Sequence, residues 1–284
     1  MTAPRALVAI VAAAMLVSAV AARPLRVMSI SECTDQLVLA LVPPARITSV
    51  TWLSRDPESS AMARQAAGVP VNRGTAEEVL QQRPDLVFAG TFTTPATRQL
   101  LKRLGSPLIE IGPADTLAAI RAQTRQVAAA VGEPARGEAL LARMDRELAD
   151  LARAPGPRLR IAAWDGSGFS AARGTLYDLI VTLSGAINLA ADRHLRTGVP
   201  DTELLLSAAP ALLLRGGGDD RAGLRADVAD SALVRRFWGT RSLSIPASAY
   251  VCGTPFVADA AVTLRRQLRG VAATGPAPLP FVAR

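Results

Sequence analysis

The sequence is short of the residues on which most enzymes and metal carriers rely. His194 is the only histidine. One imidazole cannot build a tetrahedral site, which argues against a bare zinc or manganese ion as cargo. It also leaves a single histidine-type base, flanked by Arg193 and Arg196 in what reads as a solvated loop. A nucleophile elbow is missing. Around Ser170 the chain runs Gly168-Phe-Ser-Ala-Ala172, with alanine where the Gly-x-Ser-x-Gly turn needs its second glycine. Gly216-Gly-Gly218 lacks the spacing and the Lys-Ser/Thr pair of a phosphate loop. With these parts missing, catalysis is disfavoured. Lysine is nearly absent too: Lys102 stands alone among many arginines, and the formal net charge is +8. The arginines are dispersed and form no basic block interleaved with aromatics, so nucleic-acid binding is disfavoured. The charge suits an anionic ligand or reflects general arginine usage.

What is present suits an exported α/β protein. The first residues offer Arg5 as a basic region, an apolar run from Ala6 to Val17, and the small residues Ala19-Val20-Ala21. That order is a secretory signal peptide, expected to span residues 1–22 and to be cleaved. The run is too short and alanine-rich for a permanent membrane anchor. No cysteine stands at the cleavage point, so no lipid anchor is expected there and the product should be soluble and exported.

From Leu25 onward, strands and helices alternate. Strands are expected at Leu25–Ile30, Ile47–Leu53, Asp85–Gly90 and Pro107–Ile111, with helices at Cys33–Leu41 and Thr94–Leu104 between them. This alternation predicts a parallel sheet covered by helices. From Thr116 to Arg153 only helical periodicity appears, broken once at Gly132-Glu-Pro134. Its second part carries a stripe of Leu140, Leu141, Met144, Leu148 and Leu151, the pattern of an amphipathic helix. It reads as a rod between two halves, because strands resume at Leu159–Trp164, Ala211–Leu214 and Ser242–Ile245. Helices are expected at Leu176–Ser184 and Phe256–Leu268. The expected domains are 23–133 and 155–271, joined by a helix over 134–154, with an extended tail over 272–284. The two halves share one device. Glu77 and Glu203 each stand seven residues ahead of a proline, Pro84 and Pro210, which opens a buried strand. An acidic residue in the first turn of a helix is ordinary, but its matched placement in both halves suggests a shared role.

The segment Glu77-Glu-Val-Leu-Gln-Gln-Arg-Pro-Asp-Leu-Val87, with Arg26-Val-Met-Ser-Ile-Ser31 and Asp35-Gln-Leu ahead of it, resembles the periplasmic binding proteins of the iron-siderophore and cobalamin uptake family. The resemblance covers nearly all of the mature chain, although only the first of these segments is specific. It implies two Rossmann-like α/β lobes with mainly parallel sheets, one long connecting helix, and a ligand cleft between the lobes. It implies the solute-binding component of an ABC importer, acting as a monomer that delivers cobalamin or a ferric siderophore to a membrane permease. No catalytic residues and no resident cofactor are implied. In that family one glutamate on each lobe docks on permease arginines, and the matching positions are Glu77 and Glu203.

Ligands of open α/β lobes sit beyond the carboxyl ends of the strands. That rule selects Cys33, Thr34, Trp52, Arg55 and Phe92 in the first lobe, and Trp164, Phe169, Arg173, Arg215, Tyr250 and Cys252 in the second. Aromatic faces suit a flat or greasy ligand and guanidinium forks suit its anionic groups. The alternatives are core packing for each aromatic and a solvated surface for each arginine. Haem held by Tyr250 is a further reading, as is a sensor of the same fold. Cys33 and Cys252 carry three readings: a disulfide across the cleft, two thiols facing a soft metal centre of the ligand, or unrelated buried cysteines.

Overall fold

A computed structural model describes residues 25–90, 92–195, 198–216, 224–274 and 279–280. The expected signal peptide, Thr91, Arg196, Gly217, Gly218 and most of the expected tail lie outside these residues.

The first lobe contains β1 (Val27–Ser29), α1 (Glu32–Leu41), β2 (Ile47–Thr51), β3 (Val71–Asn72), α2 (Ala76–Gln82), β4 (Leu86–Ala89), α3 (Pro95–Arg103) and β5 (Leu108–Glu110). Its sheet has the order β3-β2-β1-β4-β5, and every neighbouring pair is parallel. β1 and β4 are buried throughout. Central parallel strands have helices on both faces and so show no alternation of buried and exposed residues; β4 is apolar throughout, whereas β1 ends in the buried Ser29.

Two helices follow, α4 (Leu117–Ala130) and α5 (Pro134–Arg153). Thr116 caps α4 by accepting from Ala119 N, and Pro134 opens α5. Pro at the first helical position gives up no hydrogen bond, since that N–H has no intrahelical partner. The expected stripe on α5 is shared between the lobes. Leu140 packs with the first lobe's core, whereas Leu141, Met144, Leu148 and Leu151 pack with the second's. α4 is shared likewise: Ile120 joins the second core, and Val127 and Ala128 join the first. The connection is therefore a packed helical pair.

The second lobe contains β6 (Arg160–Asp165), β7 (Gly168–Phe169), α6 (Leu176–Leu183), β8 (Ile187–Asn188), α7 (Thr202–Ala208), β9 (Leu212–Gly216), α8 (Leu224–Ala229), α9 (Ala232–Trp238), β10 (Ser242–Ile245) and α10 (Val257–Thr274). β8, β6, β9 and β10 form a parallel path, and β7 pairs antiparallel with the end of β6. β1, β2, β4 and β5 thus have counterparts in β6, β8, β9 and β10.

The repeat noted in the sequence is a backbone repeat. α2 is capped by Thr75 and Glu78 in a reciprocal capping box, and α7 by Asp201, which accepts from Leu204 N. Each helix ends in a left-handed residue immediately before proline, Arg83 at φ 46° and Ala209 at φ 44°. The proline cannot continue the helix, and the left-handed cap turns the chain into β4 or β9.

Several expected boundaries shift. β2 stops at Thr51, whose N–H donates to the Asp35 carboxylate (3.0 Å), and Trp52–Arg55 turns into a 3-10 helix. The last helix runs through Thr274, beyond the expected start of the tail at 272. β3, β7 and β8 have two residues each, too short to carry a periodic signal.

Candidate functional site

The strands of both lobes point their carboxyl ends at the seam between them, and the loops there form the candidate site. In the first lobe Trp52 follows β2 and Phe92 follows β4. They are 57% and 65% exposed, unusual for large apolar rings. β2 and β4 flank β1, so the strands that lead to the two aromatics are two strand spacings apart, about 10 Å. Beside Trp52 a cavity of about 530 Å³ is lined by Val71, Asn72, Arg73 and Glu78. Arg73 and Glu78 escaped the sequence reading because β3 is so short; the cap at Thr75 was the available signal for the loop ahead of it.

The second lobe places its aromatics differently. Trp164 is fully buried, its Nε1 donates to the Ala229 carbonyl (2.9 Å), and Phe169 meets it edge-on at 5.2 Å. Both belong to the core. The expectation that they line the cleft is corrected, because the β6–β7 pairing turns Phe169 inward where an open loop was expected. Tyr250 stacks on Tyr177 at 4.2 Å, and a Cβ on Gly216 would lie 2.3 Å from its hydroxyl, so only glycine lets the ring pack there. Arg215 pairs with Asp230 at 3.4 Å. Arg173 lies on the flank of the lobe with Arg160, Arg193 and His194, around a cavity of about 800 Å³. It is not among the residues at the seam. Arg55 is exposed and donates to the Val69 carbonyl (2.7 Å), which ties down its own loop.

Cys33 and Cys252 form a disulfide with Cα atoms 4.9 Å apart, which resolves the three readings in favour of a bridge between the lobes. Around it the segment from Pro246 to Gly253 crosses from β10 onto the first lobe. Ser248 N–H donates to Glu58 O (2.6 Å) and Ser248 Oγ to Pro57 O (3.2 Å). A Cβ on Gly253 would stand 2.0 Å from Ala114 O, so glycine is required where this backbone meets the first lobe. A cavity of about 180 Å³ beside the bridge is lined by Cys33, Thr34, Phe92, Asp115 and Val251, among others. Thr34 has its hydroxyl committed inward, 2.7 Å from Ser29 Oγ. Behind the segment a larger groove of about 920 Å³ lies between α1, α5 and α10, with Phe256 and the Arg143–Asp259 pair on its walls.

Beneath the seam, the first lobe buries polar groups. Asp35 accepts from Thr51 N–H and Oγ1, and these bonds favour its carboxylate. Burial outweighs them and pushes the carboxyl from 3.8 up to about 7. Glu32, half-buried next to Cys33, is raised by burial and then by the charge of Asp56.

Glu77 and Glu203 are exposed in the first turns of α2 and α7, equivalent positions of the two lobes. Neither has an ion pair with another described residue.

The family described as "Periplasmic binding protein" matches residues 27–237, and the chain belongs to it. A vitamin B12-binding protein from Pectobacterium atrosepticum is 25% identical over 218 residues, 73% of this chain and 77% of the relative. The apo form of the periplasmic heme-binding protein RhuT from Roseiflexus sp. RS-1 superposes with a TM-score of 0.68 at 24% identity, covering 86% of this chain and 98% of that one. An ABC-type Fe3+-hydroxamate transport protein from Saccharomonospora viridis gives 0.64 at 19% identity, covering 88% and 94%. All three likenesses extend across both lobes and the helices joining them.

Proposed function

We propose that this chain is the exported, monomeric solute-binding component of an ABC importer, that it works in the periplasm as a carrier and not a catalyst, and that its cargo is a metal chelate, a corrinoid or a ferric siderophore. The observation that carries the cargo class is the pair of exposed aromatics, Trp52 and Phe92, in the loops that follow β2 and β4, the strands on either side of β1. Apolar rings left in water at a concave site are supported by a flat or greasy ligand that covers them. Arg73 beside Trp52 offers a polar handle to its periphery, while the Glu78 carboxylate there is held by the N–H groups of Arg73 and Thr75. The vitamin B12-binding relative supports the corrinoid. Haem ligated by Tyr250 has less support, since that ring is stacked on Tyr177 with its hydroxyl against Gly216.

Delivery is assigned to Glu77 and Glu203. Carboxylates held at equivalent corners of two lobes fix an orientation and steer docking onto a cationic surface. Replacing both with alanine should abolish uptake in cells with cargo affinity unchanged; a fall in affinity would place them in the binding site and sink the assignment. For the cargo, the purified protein is titrated with cyanocobalamin, a ferric hydroxamate and hemin, followed by absorption and native mass. A coloured one-to-one complex with either of the first two supports the reading. A complex with hemin alone would replace it with haem, and silence from all three would remove metal chelates.

A further inference from the structure

The disulfide and its surroundings carry an inference that does not depend on which solute is bound. We propose that Cys33–Cys252 is a redox latch: a dithiol reduces it, and reduction frees the segment 246–253 from the first lobe. The segment belongs to the second lobe, follows β10, and reaches α1 at Cys33. It is also a partition. Pro246, Ser248 and Ala249 wall the large rear groove, while Val251 and Gly253 wall the small cavity beside Phe92. Moving it joins the two spaces and changes the width of the seam.

A second observation, on the helix that carries Cys33, supports the proposal. Cys33, Gln36 and Ala40 lie three and seven residues apart on α1, so they share one face of the helix. Cys33 is bonded to the segment and Ala40 lines the groove behind it, so Gln36 lies on the face of α1 that carries both. Gln36 is fully buried, and neither its amide nitrogen nor its amide oxygen has a hydrogen-bonding partner. A buried amide without partners carries the whole desolvation penalty of both atoms. Lifting the segment lets water reach it. The covalent bond holds closed what Gln36 favours opening, and the accompanying ties are modest: two hydrogen bonds from Ser248 and the Gly253–Ala114 contact.

The chemistry balances with a dithiol as reductant. A thiolate attacks Cys33 Sγ, the half-buried sulfur lining the small cavity, and Cys252 leaves as a thiolate that takes up a proton. The second thiol of the reductant attacks the mixed disulfide, releases Cys33 as a thiol and closes the reductant's own disulfide. Two electrons pass to the protein. A small dithiol and a Cys-x-x-Cys oxidoreductase supply the same chemistry.

The test uses the mature wild-type chain, oxidised or reduced without denaturant by dithiothreitol in one arm and a thioredoxin-type protein in the other. Free thiols are trapped by alkylation and amide hydrogen exchange is read by peptide. Reduction is expected to speed exchange of residues 246–253 and the start of α1 at least tenfold, with β1, β4, β6 and β9 unchanged. The arm that succeeds names the source of the dithiol. The double variant Cys33→Ser/Cys252→Ser should show the fast pattern without reductant, and Gln36→Leu in the reduced protein should slow it again. Resistance to both reductants, reduction that leaves exchange of the segment unchanged, or loss of protection across both lobes would each overturn the proposal; the last would make the bond a stability staple.

Discussion

The two lobes follow one backbone plan and fill it with opposite chemistry. Both run their parallel strands toward the seam, and both carry a short helix with an acidic first turn, a left-handed cap and a proline before an interior strand. In the second lobe the aromatics near the seam fall inward: Trp164 is buried with its indole nitrogen bonded, and Phe169 packs on it. In the first lobe Trp52 and Phe92 stand in solvent, and the polar groups are inside. Ser29, Asp35, Gln36, Ser49, Thr51 and Asn72 are all buried around β1, β2 and α1, whereas β6, the counterpart of β1, buries Ile161, Ala162 and Ala163. A shared topology therefore sets where loops converge, while side-chain burial decides which lobe leaves its strand-end aromatics in solvent and which packs them into its core.

Three substitutions would break or sharpen that contrast. The largest effect is expected in the second lobe's core. Trp164→Ala removes a fully buried indole and its hydrogen bond, and should cost about 3–5 kcal/mol in urea unfolding. A loss below about 1 kcal/mol would show that the second core is soft.

Next is the polar interior of the first lobe. The Asp35 carboxyl is raised to about 7 by burial, so the folded protein keeps a proton that the unfolded chain has already released. Its contribution to stability is then fully present below the unfolded value of 3.8, falls as pH rises, and is lost above about 7. Thermal midpoints between pH 4 and 8 should decline on this account, and Asp35→Asn should flatten that slope and stabilise the protein at pH 8. An unchanged slope would mean that Asp35 titrates like a surface carboxylate.

The smallest effect on stability belongs to the exposed aromatics. Trp52→Ala should alter unfolding by no more than about 0.5 kcal/mol, while weakening cyanocobalamin binding about tenfold or more, as for an aromatic anchor at the centre of a contact. Stability lost together with affinity would turn Trp52 into a packing residue and erase the difference between the lobes.

Much of the fold was legible in the order of residues. Buried parallel strands carry unalternating apolar stretches, so Leu86–Ala89 in β4 and Ile161–Trp164 in β6 could be read without structural help. Helix ends were signposted by Thr94-Pro95, Thr116 and Gly132-Glu-Pro134, which the structure uses as caps and a break. The candidate site was legible only in part. Strand-end reasoning reached Trp52, Phe92 and both cysteines, but it also selected Trp164 and Phe169, because an aromatic in a loop looks the same whether it faces a ligand or a core. Arg73 and Glu78 follow a strand of two residues, which leaves no period to detect.

Local patterning, capping chemistry and the repeated Glu-to-Pro spacing determined the lobes, the helical connection and the matched positions of Glu77 and Glu203, because backbone preference and hydrophobic period act over a few residues. Tertiary structure alone decided that Cys33 meets Cys252 across 219 residues of separation, that Gln36 is buried without partners, and that Trp52 and Phe92 are exposed while Trp164 and Phe169 are buried. Each of these depends on what a distant segment places against the side chain, and neighbouring residues do not encode that.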